Sequence, residues 1–367
     1  MDWRFASLVL LVTTSISLAL VPLSRRLARR FGVIDHPGAR KVHRDPMPRL
    51  GGVAVYGAFT TVVLAGYFLI PVLERSDWAQ GTFGAGLVML SEAHRVEGRL
   101  LALLLGGTIA FGVGLLDDRL GPRFPTWAKA GGQLLAASVL VFVGEVRTSF
   151  LPSQWLNEAL TLAWLVGITN AFNLLDNMDG LSAGVAAVAS GILLLNAWML
   201  EEYFITLIFA AFLGSLLGFL VFNFNPATVF LGDCGSLFVG YTLASLTLLE
   251  RYVSHASSTL FPILMPVVVL AVPVVDTATV VFIRLREGRP VYVGDARHLS
   301  HQLVRLGFSQ RKAVLIIYLV TFSLGIGALF LVDASPGRSA IILAQIGSVV
   351  ALLLILMFGA NGKDATA

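Results

Sequence analysis

Between Asn170 and Gly184 the chain reads Asn-Ala-Phe-Asn-Leu-Leu-Asp-Asn-Met-Asp-Gly-Leu-Ser-Ala-Gly. Asn170, Asn173, Asp176, Asn177 and Asp179 thus fall within ten residues, between two apolar runs. Desolvating acids and amides in such a place is expensive, so their presence points to a use. Their spacing puts Asn170, Asn173 and Asp176 near one face of a helix, with Asp179-Gly180 as the turn that ends it. Such a face offers several oxygens to a cation or a phosphate.

Asp117-Asp118 closes another apolar run in Gly-Leu-Leu-Asp-Asp-Arg-Leu-Gly-Pro-Arg. Two adjacent carboxylates at a helix C-terminus oppose the helix dipole and repel each other unless a cation or basic group compensates. A polar boundary paired with Arg119 or Arg123 is the plainer alternative. In Asn223-Phe-Asn-Pro-Ala-Thr-Val-Phe-Leu-Gly-Asp-Cys-Gly-Ser, Asp233 sits between Gly232 and Gly235, where backbone can approach a ligand and Ser236 can cap the next span. That setting suits Mg²⁺ with a phosphate group; the alternative is a glycine-rich turn with Asp233 as a helix cap. Cys234, the one cysteine, reads as a small packing residue and excludes both a disulfide framework and a cysteine-based metal site.

Two basic loops complete the set. The later one carries Arg284, Arg286 and Arg289, then Asp295-Ala-Arg-His-Leu-Ser-His, in which His298 and His301 would share a helix face beside Arg297 as a phosphate-binding patch. A Zn²⁺ site ranks below this, for want of the glutamate of an H-E-x-x-H arrangement. The earlier loop carries Arg40, Lys41, His43 and Arg49 before a double glycine; phosphate contact and anchoring to anionic lipid both fit it.

These groups need elements to carry them, and composition says which. A chain of 367 residues that is 56% hydrophobic and 13% charged, with mean hydropathy +0.82, is a polytopic membrane protein, because soluble domains carry about a quarter charged residues. Nucleic-acid binding is not expected from a net charge of +4 that is concentrated in loops. The expected fold is an all-α membrane bundle of about eleven spans, in a single domain over 1–367. The spans fall near 3–23, 51–70, 100–116, 127–144, 159–175, 182–200, 203–222, 236–250, 260–283, 313–332 and 339–359. The first reads as a retained span rather than a signal peptide, with four arginines after it and the N-terminus outside. On that map the loops 24–50 and 284–312 hold eight and seven Lys or Arg, while all outer segments together hold seven. The same map puts Asp117, Asp118, Asp176, Asp179, Asp233, Asp276 and Asp295 on or near the cytoplasmic face. Residues 71–99 form the longest outer loop, with a short interfacial helix, and 361–367 a polar tail.

Hard oxygen ligands together with Arg, Lys and His loops suit Mg²⁺ and phosphoryl transfer at a membrane surface. No P-loop or Rossmann fingerprint is present. The motifs above, with Arg-Lys-x-His and Pro-Arg-x-Gly-Gly at residues 40–52, resemble the polyprenyl-phosphate N-acetylhexosamine-1-phosphate transferases, specifically the undecaprenyl-phosphate GlcNAc-1-phosphate branch of glycosyltransferase family 4. The resemblance spans about residues 35–310. It implies Mg²⁺, or Mn²⁺ in its place, and transfer of a sugar-1-phosphate from a UDP-N-acetylhexosamine to undecaprenyl phosphate with release of UMP. It assigns Asp233 as principal metal ligand with Asn173 near the metal, and Asp117 and Asp118 beside the lipid phosphate. Asp176 and Asp179 would shape the nucleotide-sugar site. Lys41, His43, His298 and His301 would contact phosphates, Arg284 or Arg286 would reach the pyrophosphate or sugar, and Asn170 and Asn223 complete the substrate-binding set. Membrane lipids are the remaining partners, and a homodimer through the spans is compatible with the family. Ser300 stands where the family usually has histidine; His298-Leu-Ser-His301 is closer to the branch that accepts UDP-N-acetylglucosamine or a related UDP-N-acetylhexosamine than to the phospho-N-acetylmuramoyl-pentapeptide branch, the runner-up, and this departure bears on the identity of the sugar and not on the reaction class.

An ion-coupled transporter is the rival from another class. It would place its acids near the bilayer midplane in two related halves, whereas here they cluster at one face with no visible duplication.

Overall fold

The computed structural model describes residues 3–36, 45–73, 75–82, 97–253, 257, 259–290 and 297–359. Its helices are α1 (Trp3–Arg30), α2 (Gly51–Leu73), α3 (Glu97–Leu120), α4 (Thr126–Ser138, prolonged by a π-helical turn at Val139–Val143), α5 (Gln154–Leu175), α6 (Leu181–Met199) and α7 (Tyr203–Asn223). There follow α8 (Gly232–Leu249), α9 (Met265–Val269), α10 (Ala271–Arg286), α11 (Leu299–Arg305), α12 (Gln310–Leu329) and α13 (Pro336–Gly359). A two-residue antiparallel pairing of β1 (Ile34–Asp35) with β2 (Met47–Pro48) joins α1 to α2. Residues 77–82 are also helical, within the expected outer loop.

Among the described residues nine helices are long and apolar enough to cross a bilayer, or ten when a bent pair is taken as one span. The eighth expected span, 236–250, is α8, which is less apolar than the helices counted above and is buried along nearly its whole length. A helix enclosed by other helices never meets lipid, so Gly, Ser and Thr cost it little and allow close packing. The expected span at 260–283 bends by 68° between Phe261–Val269 and Ala271–Arg286. Pro273 explains the break: it brings no N–H to the first turn of α10, and its ring crowds the carbonyl four residues earlier.

Two other boundaries move, with consequences for the site. α3 runs on to Leu120, so Asp117 and Asp118 lie in its last turn, while α8 starts four residues before the expected span and takes Asp233 into its first turn. α8 is packed by α3 and α5 with glycine at the contacts: a Cβ on Gly114 would overlap the Asp233 carbonyl.

Candidate active site

The site is built around the N-terminus of α8. Gly232 has φ +75°, and a Cβ there would run into the Arg49 carbonyl and the Asp118 carboxylate, so the approach requires glycine. Asp118, reaching over from α3, accepts the N–H groups of Asp233 at 3.0 Å and Cys234 at 2.9 Å. It therefore caps α8 from another helix, the role the sequence suggested for Ser236. One carboxylate of the awkward pair at the end of α3 is thus compensated by the positive end of a second helix. Ser236 instead accepts a 2.8 Å hydrogen bond from the Asn173 amide.

Asp233 gathers the rest. Its Oδ1 accepts from Lys129 Nζ at 2.9 Å and Asn173 Nδ2 at 2.6 Å, and its Oδ2 from Arg49 Nη2 at 2.9 Å. Lys129 also pairs with Asp117 Oδ2 at 2.7 Å, and Arg49 with Asp118 Oδ1 at 3.3 Å and Asp35 Oδ1 at 3.7 Å. Burial works against the Arg49 charge, but Asp118, Asp233, Asp35 and Asp176 outweigh it and raise its pKa above the ordinary value. Asp176, just past the end of α5, goes the opposite way from a normal carboxylate. Burial, then repulsion from Asp233, pushes it up to about 8, with the Arg49 charge opposing. Carboxylates outnumber cations here, and the surplus favours a bound cation.

Beside this network lies a cavity of about 630 Å³, lined by Asp35, Arg49, Asp176, Asn177, Asp179 and His301 among others. Asp179 Oδ2 is fixed in its wall by Asn225 Nδ2 at 3.0 Å and the Ala227 N–H at 3.1 Å. Asn223 also lines it but is a strut, accepting from the Gly180 N–H and donating to the Val229 carbonyl. The turn at Gly180, φ +76°, is held from outside by the Tyr318 hydroxyl, which donates to the Gly180 carbonyl.

The structure does not bring every expected residue to this place. Asn170 shares the helix but pairs with Gln133, its Nδ2 donating to Gln133 Oε1 at 2.6 Å. His298 and His301 do not form one patch. His298 precedes α11 and turns its Nδ1 to Asp276 at 2.6 Å, whereas His301 faces the cavity. Arg284 is buried in α10 and Arg286 is exposed, and neither lines the cavity. Lys41, His43 and Asp295 lie outside the described residues. Lys129 and Gln133 escaped the sequence reading, although a lysine inside an apolar span, four residues before a glutamine, is a signal that could have exposed them. Arg49 was read as part of a basic loop fit for phosphate contact or lipid anchoring, and the structure shows in addition that it ties α2's entry to α3 and α8.

A membrane-embedded helical bundle with acids and bases converging at one end is the architecture of a membrane enzyme acting on charged substrates. The chain belongs to glycosyl transferase family 4, whose model matches residues 100–250, the stretch that holds Asp117, Asp118, Lys129, Asn173, Asp176 and Asp233. It is 32% identical over 352 residues to the Bacillus subtilis (strain 168) protein named "Probable undecaprenyl-phosphate N-acetylglucosaminyl 1-phosphate transferase", covering 94% of this chain and 90% of that one. It is 33% identical to the decaprenyl-phosphate N-acetylglucosaminephosphotransferase of Mycolicibacterium smegmatis, over 93% of this chain and 86% of the relative. A phospho-N-acetylmuramoyl-pentapeptide-transferase of Geobacillus thermodenitrificans is 30% identical over 84% of this chain and 91% of its own.

Proposed function

We propose that this protein transfers N-acetylglucosamine-1-phosphate from UDP-N-acetylglucosamine to undecaprenyl phosphate at the cytoplasmic face of the cell membrane, releasing UMP. The observation that carries the reading is the convergence of Asp117, Asp118 and Asp233 on Lys129 and Arg49 beside a polar cavity. The names of the relatives supply the sugar and lipid. The concentration of Lys and Arg in loops 24–50 and 284–312 supplies the orientation, with the N-terminus outside.

In this reaction an oxygen of the lipid phosphate attacks the sugar-bearing phosphorus of the donor, and the bond to the uridylyl phosphate breaks, so UMP leaves and a lipid-linked diphosphate forms. A lipid monophosphate is largely ionised near neutral pH, so it needs charge compensation and orientation more than a base. Lys129, held between Asp117 and Asp233, is placed to steer one phosphate, and Arg49 another. Asp176, Asp179 and Asn177 form the wall against which the donor would lie.

The donor set also fits a hard divalent cation. Among the described residues no three acidic, histidine or cysteine groups stand arranged as a closed ligand set. Mg²⁺ does not require one, since it takes one or two carboxylates and completes its shell with phosphate and water. Asp233 would hold it, with Asp118 or Asp176 beside it, and Asn173 would orient Asp233 through the amide hydrogen bond rather than ligate. When bound, Mg²⁺ supplies charge neutralisation for the diphosphate.

The test is UMP release by purified protein in detergent with undecaprenyl phosphate, comparing UDP-N-acetylglucosamine, UDP-N-acetylgalactosamine and UDP-muramyl pentapeptide, with and without Mg²⁺. UMP from the first donor alone, dependent on both lipid and Mg²⁺, is the expected result. Release from the pentapeptide donor instead would move the chain to the other branch, and no release from any donor by folded protein would overturn the proposal.

A further inference from the structure

Asp276 lies in α10, almost fully buried, and takes no part in the Asp233 network. Both its oxygens are spent on one short segment: Oδ2 meets His298 Nδ1 at 2.6 Å and Oδ1 accepts the Leu299 N–H at 2.7 Å. These are the residues that open α11. The next residue, Ser300, donates to Asn177 Oδ1 at 2.7 Å, and the one after, His301, lines the cavity. Asn177 is itself in the cavity wall, with its Nδ2 on the Leu174 carbonyl. Three consecutive residues, 298 to 300, are thus tethered on one side by α10 and on the other by the turn after α5, and His301 follows directly. A buried carboxylate with two directional acceptors fixes both the ring of His298 and the start of the helix, and this decides where Ser300 and His301 arrive.

We infer that Asp276 is a positioning residue for the donor-binding wall: by holding His298 and the Leu299 N–H, it sets α11 so that Ser300 engages Asn177 and His301 faces the cavity. This rests on the proposed reaction, in which that wall receives the UDP-sugar. Both Asp276 oxygens go to His298 and Leu299, and the pairings of Asp117, Asp118, Lys129 and Asp233 are made without it. Its loss should therefore weaken the donor and spare the lipid acceptor.

Asp276→Asn keeps an acceptor for one partner but presents an N–H where the other carboxylate oxygen was. Binding of UDP-N-acetylglucosamine with Mg²⁺, read by calorimetry in detergent, is expected to weaken about tenfold, the scale of losing one hydrogen bond to a charged group. The KM for undecaprenyl phosphate should stay unchanged. His301→Ala should show the same donor-only loss, and the double variant should lose little more than either single one, because both act through one wall. Unchanged donor affinity, fully additive losses, or a parallel weakening of both substrates with a lowered Tm would each overturn the inference. Should Asp276→Asn not be recovered folded, Ser300→Ala cuts the opposite tether of the same helix start, and unchanged donor affinity there is equally decisive against it. Wild-type protein that binds no UDP-sugar would instead sink the proposed function, and the inference with it.

Discussion

Lys129 shares its ammonium between Asp117 at 2.7 Å and Asp233 at 2.9 Å, and so joins the carboxylate assigned to the lipid phosphate to the one assigned to the cation. A compact point charge fits between two carboxylates where a planar guanidinium would not. Lys129→Met is expected to lower kcat about 10²-fold, the scale of losing one electrostatic contact to a developing charge, and Lys129→Arg should restore little of it. Steady-state UMP release checks this, and an arginine variant near wild-type rate would refute the geometric argument. Asp176 gives a second prediction, on stability. Its carboxyl stays protonated to about pH 8 in the fold, while in the unfolded chain it ionises near pH 4. Between those values the folded protein binds the extra proton, so stability falls as pH rises from about 4 to about 8. Thermal unfolding in detergent with chelator should show Tm dropping across this window, and Asp176→Asn should flatten the slope. Equal slopes for the two proteins would remove Asp176 as the cause.

At the scale of the element, the site depends on how closely α3 and α8 approach. A Cβ on Gly114 would overlap the Asp233 carbonyl, whereas one on Gly112, two residues earlier in α3, would meet nothing within 4 Å. Gly114→Ala must therefore push the helices apart and pull Asp118 from the N–H groups it caps, at about 1–3 kcal/mol of overpacking. Gly112→Ala should be neutral or slightly stabilising, since alanine is the better helix former. Melting both variants in the same detergent checks this; equal Tm values would mean the contact is looser than described. This dependence on close approach also explains what could be read from the chain. Apolar runs gave the helices and their order, and the acids at their ends gave Asp117, Asp118, Asp176, Asp179 and Asp233 as one neighbourhood. Composition could not show that α8 begins four residues before its apolar run, because the donors at that end are satisfied by Asp118, 115 residues away in sequence. Nor could the local spacing of His298 and His301 show that one ring turns to Asp276 on another helix while the other turns to the cavity. Pairing across helices is a tertiary fact, and although a lysine within an apolar span stands out, its partners Asp117 and Asp233 on other helices do not follow from local spacing.

Across the whole molecule, α6, α7 and α8 form the buried centre while α1 and α13 lie at the periphery, mostly exposed to the surroundings. Arg49, Lys129, Asn173 and Asp118 meet at Asp233, and Asn225 meets Asp179, so the ends of α3, α5 and α7 and the starts of α2, α4 and α8 lie together at one face of the bundle, while the pairings Glu202–Arg251 and Asn196–Glu250 join the ends of α6 and α8 and the start of α7 at the other. Positive charge follows the first face, in the loops after α1 and α10, and the proposed orientation, with this face in the cytoplasm, rests on that bias. The chain offers a clean way to test this, because its one cysteine, Cys234, is buried and should give little background with a membrane-impermeant maleimide. Arg123 and Arg147 are both exposed, at opposite ends of α4 and its π-helical extension. Arg123→Cys is expected to label in inverted membrane vesicles and not in right-side-out ones, and Arg147→Cys the reverse. The opposite pattern would turn the bundle over and put the acidic site outside, where no nucleotide sugar from the cytoplasm could reach it. Labelling of both positions from one side would mean that α4 does not cross the membrane, and Lys129 would then lose its claim to a membrane-embedded place in the site.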